Sequence, residues 1–382
     1  MVINFFASLN FYSLITMSAG YALEEFLVSK SAAGFAASIY VGGAVFARIF
    51  AGRYIQTLGY KKMFTLGIIG MTLFSLVYFA ADNYIFFCIV RFLNGFAFGV
   101  AANTAITIVS SIIPKNRSGA GVGYFTMSQI VGTAIGPYFA ILLSENGYHA
   151  IFAFCTLMSA LGISLLPFLK LSELEKAARV QGVNLAAKGL SKYFEKRVLP
   201  IAVLCFMIYG CYSSIISFVA VFVNETGFSW TASYIFIVYA AMVLVTRPLV
   251  GKLFDAKGPN VVLIPGIAVF ALGFLIMGQS RFGVMVLIAA GLIGAGLGCI
   301  QTCTLAMIVG LVPRHRLGVA NATYYIFLDT ATAVGPVVAG LIITAAGYRE
   351  MYFSAFGLAV FCLPLYWILH GRKTKKEGGR LP

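Results

Sequence analysis

The chain has 382 residues, 60% of them hydrophobic and only 10% charged, with a net charge of +15 and a mean hydropathy of +0.94. Soluble domains carry about 25% charged residues, so this composition excludes a water-soluble enzyme, a nucleic-acid-binding domain and a disordered scaffold. The natural solvent is a bilayer, and the positive balance is what the cytoplasmic loops of a membrane protein carry.

Charge, Gly and Pro divide the chain into twelve predicted helices. They run over 3–27, 34–55, 63–81, 84–112, 119–144, 149–169, 199–224, 230–254, 261–279, 283–311, 317–345 and 350–370. Each approaches or exceeds the roughly 20 apolar residues that cross a membrane as a helix. The ~10-residue alternation of a membrane barrel is missing. The chain opens directly into apolar sequence, so Met1 to Leu23 is read as a helix that stays rather than a cleaved leader. The expected organisation is a six-helix bundle over 1–169, a polar connector over 170–198, a second bundle over 199–371 and a basic tail over 372–382.

Most Lys and Arg fall on the loops after helices two, four, eight and ten, on the connector and on the tail. The opposite loops hold only Lys30, Arg281 and Arg349, while Arg48, Arg91 and Arg247 sit within helices. This asymmetry predicts a cytoplasmic connector and cytoplasmic termini. The seven cysteines lie in apolar segments without a CxxC pair and read as small core residues. The three histidines stand at ends or loops, so no metal site is expected.

Sliding the chain by 199 positions superposes Tyr40 on Tyr239, Arg48 on Arg247, Gly52 and Gly59 on Gly251 and Gly258, and Pro114 and Arg117 on Pro313 and Arg316. Gly136-Pro137 falls on Gly335-Pro336. Parallel repeats of this kind belong to secondary transporters whose two bundles share an axis along the membrane normal.

The motifs then point to a family. The loop Gly52-Arg-Tyr-Ile-Gln-Thr-Leu-Gly59-Tyr-Lys61-Lys62 resembles the signature loop of the major facilitator superfamily, with Gln56 where that loop has Asp. The second copy, Gly251-Lys-Leu-Phe-Asp255-Ala-Lys257-Gly258, resembles it more closely. Arg91-Phe-Leu-Asn-Gly95 is similar to the family's element in helix four. Gly132 to Pro137 is similar to the antiporter motif of its exporters, although Ala140 replaces a Gly there. Within the superfamily the chain is most similar to the drug:proton antiporter and sugar-efflux-like group. The resemblance implies an all-α fold of two pseudo-symmetric six-helix bundles. It further implies alternating access around a midplane cavity. The compact chain and its short loops lead to the expectation of a multi-pass protein of a bacterial cytoplasmic membrane, and a monomer is expected.

Asp329 is the one acid deep in a predicted helix and shares a stripe with Asn321, Tyr325 and Thr332. Desolvation disfavours a charge there, which is the chemistry of a group that takes up and releases a proton. It is the leading proton carrier, against a structural Asp bonded to nearby hydroxyls. Arg91 is either part of the coupling, as the resemblance implies, or an arginine snorkelling toward the cytoplasmic headgroups. Glu24, at the outer end of helix one, is a shallower coupling candidate or a solvated acid. Arg48 and Arg247 read as cytoplasmic anchors.

The expected substrate contacts are Asn10 in helix one, Asn103 and Thr107 in helix four, and Gln129 in helix five. Tyr209, Tyr212 and Ser213 in helix seven, Gln301 in helix ten and Tyr325 complete the set. Aromatic and hydroxyl-rich, they suit an amphipathic organic molecule; helix–helix packing is the plainer role for each. Gly52, Gly59, Lys61 and Lys62, with Gly251, Asp255 and Gly258, form the expected cytoplasmic gate. Asp255 is expected to meet the start of helix five near Gly119, where free N–H groups and the positive end of the dipole lie. Gly136-Pro137 and Gly335-Pro336 are expected kink points. No nucleophile–base pair or phosphate loop appears, so the chain is expected to be no enzyme, to need no cofactor or nucleic acid, and to draw on a proton gradient. A sugar or metabolite carrier of either direction, or a non-transporting receptor on the same fold, is the alternative.

Overall fold

The computed structural model describes residues 1–144, 146–169, 171 and 192–372. The connector expected over 170–198 and the tail expected over 372–382 therefore lie largely outside the described residues, as does the side chain of Gln56.

Twelve helices, each apolar and long enough to cross a membrane, carry the described chain. The first six are α1 (Val2–Glu25), α2 (Lys30–Leu58), α3 (Tyr60–Val77), α4 (Tyr84–Ile112), α5 (Ser118–Ser144) and α6 (Tyr148–Ser164). The second six are α7 (Leu199–Glu225), α8 (Ala232–Lys257), α9 (Asn260–Gln279), α10 (Gly283–Leu311), α11 (Leu317–Ala346) and α12 (Tyr348–Tyr366).

The predicted boundaries move for local reasons. α2 starts four residues before the predicted 34 because Ser29 caps it, accepting the Ala32 N–H at 3.3 Å. It stops at Gly59, whose φ of 89° needs a residue without Cβ. The repeat mate Gly258, φ 79°, ends α8 in the same way. α3 and α6 are shorter than predicted because their last turns tighten into 3-10 geometry at Tyr78–Ala80 and Leu166–Phe168.

Packing repeats with the sequence. In the first half α4 packs on α2 and α3, and α6 on α1 and α3; in the second α10 packs on α8 and α9, and α12 on α7 and α9. α4 and α10 are the most buried spans, and glycines set their spacing. A Cβ at Gly95 would strike the carbonyl of Tyr40, and one at its mate Gly294 would lie 2.6 Å from the carbonyl of Tyr239.

Two compact units result, and they differ from the simple halves 1–169 and 199–371. The first comprises residues 1–112, 128–196 and 313–326; the second comprises 113–127, 197–312 and 327–382. The start of α11 thus belongs with the first unit and the start of α5 with the second. Close glycine contacts explain both exchanges. In the first unit a Cβ at Gly52 would lie 2.8 Å from the Ala322 Cβ and 3.0 Å from the Gly318 carbonyl. In the second, a Cβ at Gly251 would lie 2.6 Å from the Gly119 carbonyl.

Candidate functional site

The signature-loop residues, expected to form loops, lie instead largely within helices: in the last two turns of α2 and α8, at Gly59 and Gly258, and at the start of α3. In the second unit both oxygens of Asp255 are engaged: Gly119 N–H donates to Oδ1 at 2.8 Å and Ala120 N–H to Oδ2 at 3.0 Å. A carboxylate thereby takes two of the four N–H groups that the first turn of α5 leaves unbonded, at the positive end of its dipole. The approach requires the Gly119–Gly251 contact, since any side chain would hold the helices apart. A cleft of about 440 Å³ beside this contact is lined by Asn116, Arg117, Ala120, Lys252, Asp255 and Ala256. In the first unit Gly52 and Gly318 make the mirrored contact, and Lys61 and Lys62 open α3 on an exposed surface.

Arg91 does not snorkel to any surface. It is fully buried and donates from Nε to the Ala36 carbonyl, from Nη1 to the Leu14 carbonyl at 3.2 Å and from Nη2 to the Ala37 carbonyl at 3.3 Å. Its guanidinium also lies 5.3 Å from the Tyr40 ring centre and 5.8 Å from that of Phe87. The arginine ties α1, α2 and α4 together through neutral acceptors and ring faces. Asn10 is likewise occupied inside the first unit, donating to Ser75 Oγ and the Cys155 carbonyl, both at 2.9 Å, and to Ser159 Oγ at 3.2 Å. Asn94 completes this network, donating to Ser75 Oγ at 3.2 Å and accepting from the Tyr40 hydroxyl. Glu24 is exposed at the end of α1.

Arg48 and Arg247, read from sequence as cytoplasmic anchors, are instead buried. Each stands nearly three turns inside its helix, one turn before Gly52 or Gly251, and faces a neighbouring helix that covers it. Arg48 stacks on Tyr325, 4.5 Å from the ring centre, and Arg247 donates from Nη2 to Gln301 Oε1. The available signal was their pairing at the repeat offset inside apolar segments, where a charge is expensive unless partnered.

The remaining expected contacts fall in two groups. Asn103, Thr107 and Tyr325 lie buried in the first unit with Arg48, and Gln129 is half-buried in the same unit. In the second unit Tyr212 stacks on Tyr239 with centroids 5.3 Å apart and meets Tyr209 edge-on at 6.0 Å. Ser213 donates to the Gly210 carbonyl at 2.7 Å. Asp329 is half-buried in α11. The Gly-Pro pairs sit in unbroken helices, and their glycines are points of close approach. Ser13 donates to the Gly136 carbonyl at 3.0 Å, and a Cβ at Gly335 would strike Ser213 Oγ. Among the described residues no His, Cys, Asp and Glu gather into a metal-binding group.

Comparison with known proteins agrees with this architecture. The profile of the Major Facilitator Superfamily matches residues 1–278 and 231–381. The chain is 24% identical over 381 residues to the protein named "Uncharacterized MFS-type transporter YhhS" of Escherichia coli K12, covering 95% of this chain and 91% of that one. It is 22% identical over 324 residues to the multidrug resistance protein MdtG of Escherichia coli O1:K1, covering 83% and 79%. In structure it is similar to the human organic anion transporter MFSD10, with a TM-score of 0.78 at 14% identity over 95% of this chain and 97% of that one. It is also similar to the proton:xylose symporter XylE, with a TM-score of 0.75 at 13% identity over 96% and 94%. Twelve spans, the two-fold internal repeat and a profile that matches almost end to end together make this chain a member of the major facilitator superfamily.

Proposed function

We propose that the chain exports small amphipathic organic compounds in exchange for protons, by alternating access. Asp329 carries this reading. Every other acid among the described residues lies in a loop or within four residues of a helix end, whereas Asp329 stands mid-span in α11. A charge at that depth costs about 2.5–3.5 kcal/mol on insertion scales, so its protonation state is a natural partner for a cycle that moves a proton. The Gly132–Pro137 motif and the likeness to a multidrug resistance protein support export. The Asp255–α5 contact supports a cytoplasmic gate that forms and breaks during the cycle. A sugar or metabolite carrier is the second reading, favoured by the buried amides of Asn103 and Asn321.

The test is substrate-triggered pH change in proteoliposomes, with lipophilic cations and neutral drugs, on wild type and Asp329→Asn. The expected result is proton movement that depends on substrate and disappears in the variant. Substrate flux without proton movement would remove Asp329 from the coupling role and leave a facilitator.

A further inference from the structure

Inside the first unit, α2, α4 and the start of α11 gather five polar side chains away from solvent. Arg48 is 5% exposed, Asn103 1%, Thr107 0%, Asn321 0% and Tyr325 8%. Their relative placement follows from three contacts. Arg48 lies over the Tyr325 ring. Asn321 Nδ2 donates to Thr107 Oγ1 at 3.4 Å. Gly95 abuts Tyr40 and Gly99 abuts Ala44, a constant register between α2 and α4 that sets Arg48 beside Asn103 one turn further on. Asn103 and Thr107 are one turn apart on α4, and Asn321 and Tyr325 one turn apart on α11.

This cluster has hydrogen-bonding capacity to spare. Both amide atoms of Asn103 are buried without a partner among the described residues, and so is Asn321 Oδ1. Buried polar groups are satisfied in the great majority of cases, so these unmet amide atoms on neighbouring helices ask for a ligand. The orientation of Asn321 is set by chemistry. Thr107 spends its hydroxyl hydrogen on the Asn103 carbonyl at 2.7 Å, so its oxygen only accepts. Asn321 must therefore present its NH2 to Thr107, which leaves its Oδ1 as an acceptor.

The internal repeat shows that the pair of amides is particular to the first unit, although the Thr302 hydroxyl in the second copy is buried without a partner among the described residues as well. Asn103, Thr107, Asn321 and Tyr325 correspond at the 199-residue offset to Thr302, Ala306, Val122 and Thr126. The arginine of the second copy, Arg247, donates to Gln301, whose own counterpart in the first copy is Ala102. The second copy thus carries no amide pair.

We propose that Arg48, Asn103 and Asn321 form a subsite for a hydroxylated head group, a vicinal diol or polyol borne on an otherwise apolar substrate. Asn103 NH2 and the Arg48 guanidinium donate to hydroxyl oxygens, and Asn321 Oδ1 accepts a hydroxyl hydrogen. A carboxylate brings no hydrogen for Asn321. An alkylammonium brings no acceptor for Asn103 and meets the charge of Arg48. A hydroxyl group does both tasks at once. The inference rests on the transporter reading, which supplies the helix movement that opens a site so little exposed, and it names the polar part of the substrate.

The test is calorimetric binding to the full-length protein in lipid nanodiscs, free of sugar detergents, with four probes. These are 3-phenoxy-1,2-propanediol, phenyl β-glucoside, phenoxyacetate and phenoxyethyl-trimethylammonium. The diol and the glucoside are expected to bind at least ten-fold more tightly than the two charged probes. Asn103→Leu and Asn321→Leu should each weaken them at least ten-fold, and Asn103→Leu should keep or raise the thermal midpoint, since neither of its amide atoms has a partner among the described residues. Thr302→Ala, in the second copy, should leave the binding of all four probes unchanged. Equal or tighter binding of phenoxyacetate or of the cation, diol binding indifferent to both Leu variants, or no binding of either hydroxylated probe would each overturn the assignment. Proton movement driven by the lipophilic cations and neutral drugs, measured on the same purified protein in proteoliposomes, separates the two ideas. If it persists without diol binding the subsite alone fails, and if diol binding persists without proton movement the coupling alone fails.

Discussion

A single carboxylate, Asp255, does at the start of α5 what an N-cap residue does from within a helix, but from a different helix. Its two oxygens hold the N–H groups of Gly119 and Ala120, adding a charge to a dipole end where anions contribute about 0.3–1 kcal/mol. Asp255→Ala leaves both N–H groups unpaired at a cost of about 1–3 kcal/mol. Amide exchange in the peptide around Gly119 and Ala120 should then accelerate roughly 5- to 150-fold, with Asp255→Asn in between. Unchanged exchange in the Ala variant would show that the contact does not hold the helices together. The partner of Asp255 was readable from the repeat and the loop motif. The placement of Arg91, Asn10, Arg48 and Arg247 was not. A polar residue inside an apolar helix announces itself, but which neighbour satisfies it depends on packing across segments far apart in the chain.

At the scale of helices, spacing is governed by backbone touching backbone. Gly95 against Tyr40 and Gly294 against Tyr239 are the same contact made twice. Gly95→Ala and Gly294→Ala should each lower stability, because overpacking a close contact costs about 1–3 kcal/mol. Gly357 in α12 has open space at its Cβ position, and Gly357→Ala should stabilise by up to about 1 kcal/mol through helix propensity. Thermal midpoints of the three variants check this, and a uniform effect across them would contradict it. Helix number and centre were legible because about 20 apolar residues in a row leave little choice. Helix ends were less so, since Ser29, Gly59 and the 3-10 turns after α3 and α6 decide them. The Gly-Pro pairs carry a further role that the sequence pattern did not suggest: their glycines are points of close approach to neighbouring helices.

For the molecule as a whole, the charge asymmetry of the loops makes a topological statement that the packing does not. With the basic loops inside, a cysteine replacing Lys62 should resist an impermeant thiol reagent on intact cells, and one replacing Asp82 should react. Both positions are exposed, while of the seven native cysteines six are buried, which keeps the background low. The reverse pattern would invert the chain in the membrane. The repeat at 199 positions was visible in a handful of Gly, Pro and Arg coincidences, and its structural counterpart is the matched packing of α2–α4 with α8–α10. Less visible was that the compact units would not follow the halves, because the exchange depends on where glycine pairs meet in space.

That exchange reaches beyond packing. Residues 113–127 come from the first half of the chain and complete the second unit, and residues 313–326 make the reciprocal loan. A polypeptide severed in its connector would yield two fragments, each missing a piece of itself that only the other holds. Such fragments are obligate mates. Made separately, each should be degraded with the faces around Gly52 or Gly251 uncovered; made together in one membrane, they should reassemble and outlast either alone. The loan makes the two halves of this gene, in effect, a heterodimer that happens to be joined.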